Sequence, residues 1–198
     1  MISKEHFILL IDCLERLQPL SVALKSEMLK VLRITERSRG EQLIRFGQKH
    51  PYIWFMVKGY AMEITHQVIA GTQRTSWFYK SKDFLFSSHT FFSGEVSLTD
   101  IEMISDATLI EIDFEDLIRL RRAYKEFDLL IELIRSRCEL ERYQHGIDII
   151  TLNVHQRADQ FDRRFPSLSN LVLHKHINQF LNLSHHSFSR YLTRNRKK

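Results

Sequence analysis

The sequence predicts an α+β protein in which an antiparallel β-structure with flanking helices is followed by a long helix and a small all-α C-terminal domain. The first observation is the spacing of apolar residues, which is helical up to residue 33, strand-like in short runs from Gly40 to Asp113, and helical again afterwards. The second is an apolar seam that continues along the later part of the chain for about three heptads. The third is a concentration of basic residues after that seam.

Length and composition limit the possible classes of function. The chain has 198 residues, of which 43% are hydrophobic, and six glycines and three prolines exclude collagen-like or low-complexity architecture. Cys13 and Cys138 lie far apart in the sequence and predict neither a disulfide framework nor a zinc site, which suits a reducing cytoplasm. The apolar stretch 7–11 is too short for a signal peptide or a membrane span. We therefore expect a soluble cytoplasmic protein without a membrane partner.

The first 33 residues predict two short amphipathic helices separated by Pro19. One face of the first helix carries Phe7, Leu10, Ile11, Leu14 and Leu17. From Gly40, short apolar runs with turn residues between them predict strands: EQLIRF, YIWFMV, YAMEITHQVI and TSWFY, with the same signal again over 96–113. Strands at this spacing indicate a compact antiparallel barrel or sandwich.

A long helix is predicted from about Phe127 to Ile150. Positions at alternating spacings of four and three residues form a seam with a single polar member: Leu129, Leu133, Ser136, Leu140, Tyr143, Ile147 and Ile150. A repeat of 3.5 residues allows a helix to pack along its whole length against a partner helix. We therefore expect a homodimer joined through this seam. The alternative is a helix that lies on its own β-structure.

Positive charge is concentrated at the C-terminal end. From Asn153 to Lys198, nine Lys and Arg stand against two Asp, so this segment carries +7 and the rest of the chain −2, which together give the net +5. Because Lys and Arg that neutralise phosphates supply most sequence-independent affinity for nucleic acid, the segment is a candidate footprint. A solvated basic tail is the alternative. Asn153 and Gln156 form a capping-box pair that begins a further helix and, we expect, a new domain.

The stretch from His174 to Lys198 has the pattern of a helix-turn-helix. Two short helices that cross steeply need apolar residues only on their inner faces, and the required positions hold Ile177, Leu181, Leu183, Phe188 and Tyr191. The turn position needs a left-handed backbone, which Asn182 tolerates better than most residues. Ser184 suits the N-cap of the second helix, predicted from His185 to Arg196. The combination predicts binding to double-stranded DNA.

Both ends of the chain resemble the Crp/Fnr family of bacterial transcription regulators. The stretch SRGEQLIRFGQKHPYIWFMVKGYAMEI is similar to the opening strands of that family's β-roll, and QRADQFDRRFPSLSNLVLHKHINQFLNLSHHSFSRYLTR to its short DNA-binding domain. The resemblance covers nearly the whole chain. It implies an N-terminal antiparallel β-roll, a cyclic-nucleotide-binding-like jelly roll, over 1–126, a dimerisation helix and hinge over 127–152, and a helix-turn-helix domain over 153–198.

The resemblance also exposes a departure at the effector site. Members of the family that bind cyclic nucleotides use Gly-Glu for the ribose and an Arg for the cyclic phosphate. Here Lys82 and Asp83 stand in place of Gly-Glu, Gly94 and Glu95 form a second Gly-Glu without a following Arg, and residues 83–118 contain no Arg or Lys. A buried phosphate without a cationic partner forfeits a charge-assisted contact. We therefore expect that cyclic AMP is not the effector, and the effector remains unknown. If a cation from outside the cassette reached such a phosphate, Arg74 or Arg119 would be the first candidates.

Four phenylalanines fall in the same degenerate segment: Phe84, Phe86, Phe91 and Phe92. We expect them to be ordinary core residues, and an apolar effector site is the alternative.

The resemblance places the base-contacting positions of the second helix at His185, His186 and Arg190. Arg190 is the strongest candidate, because a guanidinium can donate two hydrogen bonds to guanine O6 and N7. The other candidates are assigned to phosphates or to positioning: Lys175, Ser184, Ser187, Ser189, Arg194, Lys197 and Lys198. The implied partners are an inverted-repeat operator, a second copy of the chain and RNA polymerase.

Motifs for catalysis or metal binding are not found in the sequence. His174 and His176 form an HxH pair at the start of a predicted helix, where residues two apart do not face each other. We therefore expect no enzyme activity, no cofactor and no metal. One alternative stays open, namely a β-roll signalling or interaction module that binds a different small effector or a protein partner and does not bind DNA specifically.

Overall fold

The computed structural model describes residues 2–67, 69, 71–87, 91–184 and 187–195, without the side chains at 189, 192, 194 and 195. The strands in this part of the chain are β1 (Arg33–Arg37), β2 (Gln42–Ile44), β3 (Tyr52–Lys58), β4 (Tyr60–Gln67), β5 (Thr72–Lys80), β6 (Phe84–Leu85), β7 (Thr99–Met103) and β8 (Ala107–Asp113). They form two antiparallel four-stranded sheets, ordered β1-β8-β3-β6 and β2-β7-β4-β5. The predicted antiparallel β-roll is therefore present.

Local sequence explains most of these strands. The alternating burial of β7 and β8 follows the alternating apolar residues, because successive side chains of a strand point to opposite faces. The sequence pattern missed β1, whose residues Arg33–Arg37 read RITER. This strand pairs only with β8 at the edge of its sheet, and edge strands often carry charged side chains.

The first four helices cover one face of the β1-β8-β3-β6 sheet, and the last three follow at the C-terminal end of the chain. They are α1 (Lys4–Glu15), α2 (Val22–Val31), α3 (Phe114–Ala123), α4 (Lys125–Thr151), α5 (Val154–Arg164), α6 (His174–Phe180) and α7 (Ser187–Asn195), with a 3₁₀ turn at Leu168–Asn170. The hydroxyls of Ser3 and Ser21 cap α1 and α2. Both halves of the predicted capping box between Asn153 and Gln156 are formed at the start of α5. The long helix α4 is two residues longer at its start than the sequence indicates.

Gly59 makes the connection from β3 to β4 possible. Its φ is +115°, and a Cβ atom added there would lie 2.6 Å from the Cβ of Ala107, the first residue of β8. A side chain at this position would therefore be strained in its backbone and would collide with the neighbouring strand β8.

The buried residues form two clusters. One fills the space between the outer face of the β1-β8-β3-β6 sheet and helices α1 to α4, and it includes the buried Phe86 and Phe91 with the half-buried Phe84 and Phe92. These phenylalanines are core residues, as expected. The other cluster fills the inside of the roll and continues into α5, α6 and α7. The β-roll thus shares its core with the C-terminal helices, and the division at 126 and 152 stays a prediction.

None of the helices in the described part of the chain combines the length and the apolar character that a crossing of the bilayer requires.

Candidate nucleic-acid interface

Helices α6 and α7 pack against each other across a tight turn. Asn182 in this turn has a φ of +49°, the left-handed conformation that the sequence predicts for it. The apolar positions of the pattern face inward, since Ile177, Leu181, Phe188 and Tyr191 are buried and Leu183 is partly buried. The spacing of apolar residues therefore correctly predicted this small core.

Polar side chains that the sequence analysis did not single out hold the turn. The side-chain oxygen of Asn178, which is 3% exposed, accepts the backbone N–H of Phe188 at 3.2 Å and so connects α6 to the first turn of α7. Arg157 of α5 donates to the carbonyl oxygens of Leu181 and Asn182 at 2.7 and 3.3 Å. These carbonyls end α6 and lack helical partners, so the guanidinium satisfies them. The guanidinium of Arg157 therefore stabilises the turn between α6 and α7.

The predicted DNA-binding residues are described only in part. Lys175 on α6 and Arg190 on α7 are exposed. The hydroxyls of Ser184 and Ser187 lie 2.5 Å apart. Ser189 and Arg194 lie in α7, but their side chains fall outside the description, as do the whole residues His185, His186, Lys197 and Lys198.

The helix pair is seated on β5. Thr75 donates its backbone N–H to the Gln179 side chain at 3.1 Å, and its hydroxyl lies 2.7 Å from Nδ1 of His176. One residue earlier in the strand, Arg74 donates to the side-chain oxygen of Asn182 at 3.3 Å. Three contacts along one strand therefore set the position of α6 and of the turn relative to the roll. His176 therefore helps to join α6 to β5, whereas the sequence pattern suggested only a metal motif for the HxH pair.

Aromatic side chains also pack β5 against the helices. The ring of Phe78 lies 5.8, 5.9 and 5.2 Å from those of Phe161, Phe165 and Phe180, each in an edge-to-face arrangement. On the long helix, His145 stacks on Phe180 at 4.0 Å, and its Nε2 lies 3.0 Å from the Phe180 carbonyl oxygen. Helices α4, α5 and α6 thus meet at one aromatic cluster on the outside of β5.

The long helix α4 has two different faces. Phe127, Leu130, Ile131 and Ile134 are buried against the roll and its helices. Along the predicted seam, Leu129, Leu140, Tyr143 and Ile150 are 54–80% exposed, Ser136 is exposed, and Leu133 and Ile147 are partly buried. Most of the seam is therefore exposed in the single chain, while α4 lies on the roll through its other face, and pairing through the seam stays a prediction.

The side of the roll next to α4 contains a cavity of about 100 Å³. Asp83 lines it, and burial raises the pKa of this carboxyl to about 6. Gly94 and Glu95 are exposed and do not line it. The three residues of the expected degenerate cassette are thus divided between a cavity wall and the surface.

A buried ion pair occupies the neighbouring space. Arg142 of α4 donates to both carboxylate oxygens of Glu63 at 2.9 and 2.8 Å, and the Tyr79 hydroxyl donates to the same carboxylate at 2.7 Å. Burial alone would raise the pKa of Glu63, but Arg142 and the two hydroxyls of Tyr79 and Ser76 hold it below its ordinary value. The carboxylate therefore stays charged and neutralises the guanidinium of Arg142.

The cations that the sequence suggested for a phosphate in the roll lie elsewhere. Arg119 pairs with Asp116 on the surface of α3, and Arg74 contacts the turn after α6. Arg142 lines the cavity in the roll, unlike Arg74 and Arg119. It was missed because an apolar repeat in a helix does not indicate which charged residue points inward.

The His176 contact predicts a pH dependence of stability. Burial, together with the nearby charge of Lys175, lowers the pKa of His176. Since the unfolded chain then binds a proton more readily, the free energy of unfolding should fall as the pH drops below about 6.5. The variant His176→Asn should lose less stability between neutral and mildly acidic pH than the wild type in urea unfolding. His155→Asn, at an exposed position of α5, is the control.

Identical pH profiles for the wild type and His176→Asn would contradict this prediction. His145, whose pKa burial also lowers, contributes the same sign in every variant and cancels from the comparison.

Chains of known structure share this arrangement, although no protein-family model and no curated protein matches the sequence. A regulatory protein from Silicibacter pomeroyi DSS-3 matches with a TM-score of 0.70 and 15% identity over 98% of this chain and 89% of its own. FixK2 from Bradyrhizobium japonicum matches with 0.65 and 17% over 84% and 85%. The c-di-GMP-responsive global regulator CLP from Xanthomonas campestris matches with 0.64 and 12% over 89% and 92%. The chain therefore has the fold found in Crp/Fnr regulators and cyclic-nucleotide-binding domains.

Proposed function

We propose that this protein is a sequence-specific DNA-binding transcription regulator of the Crp/Fnr type that acts as a homodimer and does not respond to cyclic AMP. The observation that carries the proposal is the joining of a cyclic-nucleotide-binding-like roll to a helix pair with a left-handed turn. The roll alone serves several kinds of protein. The helix pair, with Lys175 and Arg190 on its exposed side, favours DNA as the partner.

The DNA contacts follow from the position of α7. In a helix-turn-helix, the first turns of the second helix meet base edges in the major groove, and Arg190 lies in the first turn of α7. Arg190 is exposed, and its guanidinium makes no ion pair with a described residue, so it is free to donate to guanine. The predicted phosphate contacts from Lys175, Ser184 and Ser187 precede this position along the chain.

Dimerisation would place two such helices side by side. Soluble monomers rarely expose a continuous row of large apolar side chains. The seam from Leu129 to Ile150 presents such side chains at a heptad spacing on the side of α4 that faces away from the roll. A second copy of α4 offers a surface of the same kind, as an isologous interface requires. The resulting two-fold axis would make the DNA site an inverted repeat.

The effector side of the roll argues against cyclic AMP. The cavity of about 100 Å³ next to α4 is smaller than the roughly 300–1,000 Å³ of ordinary ligand pockets. Arg142 is already neutralised by Glu63, and Asp83 would face an incoming phosphate with its own carboxyl. RNA polymerase as a partner, and any other effector, remain proposals drawn from the family resemblance alone.

Selection of bound sequences from random duplex DNA tests the function and is expected to recover an inverted repeat with half-sites about 34 Å apart. On the recovered operator, Arg190→Ala should cost about 1–3 kcal/mol and relax the preference at one base pair. Arg122→Ala, which removes an exposed arginine from α3, is the control. Equal losses on operator and random DNA would make Arg190 a backbone contact, and failure to select any sequence would overturn the proposed function.

The dimer is tested at the middle of the seam. Leu140 is 64% exposed in the single chain, and Leu140→Asp would place a charge in the apolar interface. Sedimentation velocity at micromolar concentration should show a dimer for the wild type and a monomer for this variant, which should also lose tight operator binding. Leu29→Asp makes the same change at a leucine of α2 that is 49% exposed and should leave the dimer intact. A monomeric wild type would contradict the prediction.

Titration calorimetry with cyclic AMP tests the effector claim. We expect no binding heat at micromolar concentrations, because the cavity is small and its buried guanidinium, that of Arg142, is already paired with Glu63. Micromolar affinity that disappears in the variant Arg142→Gln would show instead that the ligand displaces Glu63 from its ion pair.

A further inference from the structure

We propose that the β4–β5 hairpin of the roll belongs to the DNA interface, with Arg74 as a phosphate contact beside the helix-turn-helix. The inference rests on the proposed function and extends it to a strand outside the predicted DNA-binding domain. It concerns an open groove of about 460 Å³ between this hairpin and α6. Gln73 and Arg74 line the groove on the hairpin side, and Lys175 and Gln179 line it on the helix side.

The charge of this groove is uncompensated. None of the described residues that line it is acidic. Arg74 and Lys175 are both exposed and form no ion pair with a described residue. Several arginines elsewhere on the surface are paired with carboxylates, among them Arg119, Arg121, Arg135, Arg137 and Arg164. Two free cations and two side-chain amides that can donate hydrogen bonds therefore face one groove, which suits a polyanion.

The position of the groove identifies the polyanion. Arg74 donates to the side-chain oxygen of Asn182, the left-handed residue of the turn that leads into α7. This oxygen is neutral, so the contact orients the guanidinium without cancelling its charge. A duplex that receives α7 in its major groove presents its phosphate backbone on either side of that helix. Arg74 and Lys175 stand where one of these backbones would pass, so the phosphodiester backbone of the operator is the ligand.

Contacts with α5 and α6 hold the β4–β5 hairpin in place beside the helix pair, as a role in DNA binding requires. Thr75, the residue after Arg74, is 3% exposed and bonds both His176 and Gln179 of α6. Phe78 on the same strand is fully buried among the aromatic rings of α5 and α6. The roll and the helix pair would thus approach DNA as one unit, with the roll supplying part of the positive surface.

The experiment measures the salt dependence of binding to the selected operator and to a random duplex of the same length, between about 50 and 200 mM salt. Each phosphate contact contributes about 0.9 to the slope of log K against log salt. Arg74→Gln should reduce the slope by about that amount and weaken both duplexes by a similar factor. Arg122→Gln removes the same charge from α3, on the side of the other sheet, and should leave the slope unchanged.

Arg74→Lys separates charge from structure. It keeps the positive charge but not the planar guanidinium that contacts Asn182. A slope restored by lysine supports a phosphate contact. If Arg74→Lys and Arg74→Gln both reduce the slope, Arg74 only positions the turn. An Arg74→Gln protein with the wild-type slope also overturns the inference and leaves the proposed function intact. A wild type that binds neither duplex overturns the proposed function and this inference together.

Discussion

The position of the candidate interface depends on the packing around Phe78. This side chain is fully buried on β5, and its ring meets Phe161, Phe165 and Phe180 in edge-to-face contacts. Such pairs contribute about 0.5–1.5 kcal/mol each beyond the burial of their surface. Because Phe161 belongs to α5 and Phe180 ends α6, one residue of the roll holds two C-terminal helices. The hydrogen bonds of Thr75 to His176 and Gln179 then fix the direction in which α6 lies.

The buried ion pair performs a similar task for the long helix. Burying Glu63 and Arg142 costs free energy that their mutual attraction only partly offsets, unless the geometry is good and the remaining lone pairs are satisfied. Here the contact is bidentate, and the hydroxyls of Tyr79 and Ser76 donate to the same carboxylate. The pair fixes which face of α4 turns toward the roll. The apolar seam is thereby directed outward, where it is available to a second copy of the chain.

The basic C-terminal segment divides into cations that build the fold and cations that stay free. Arg157 satisfies the carbonyls at the end of α6, and Arg164 pairs with Glu141 and lies over the ring of Trp77. Lys175 and Arg190 are exposed and unpaired within the described residues. A net charge of +7 for this segment therefore overstates the surface that can meet phosphates. Arg74, outside the segment, partly compensates for that loss.

The sequence by itself determined the order of elements, the apolar seam of α4, the capping of α5 and the turn at Asn182. Each of these depends on neighbours a few residues away, whose spacing and backbone preferences can be read along the chain. The sequence did not reveal β1, because edge strands need no apolar alternation. Nor did it reveal that Arg142 meets Glu63, that Asn178 holds α7, or that Arg74 lies beside Asn182. The first and third pairs are 79 and 108 residues apart in the chain, and only the packing of the roll against the helices decides them. The second joins residues 10 apart and depends on how α6 and α7 pack against each other.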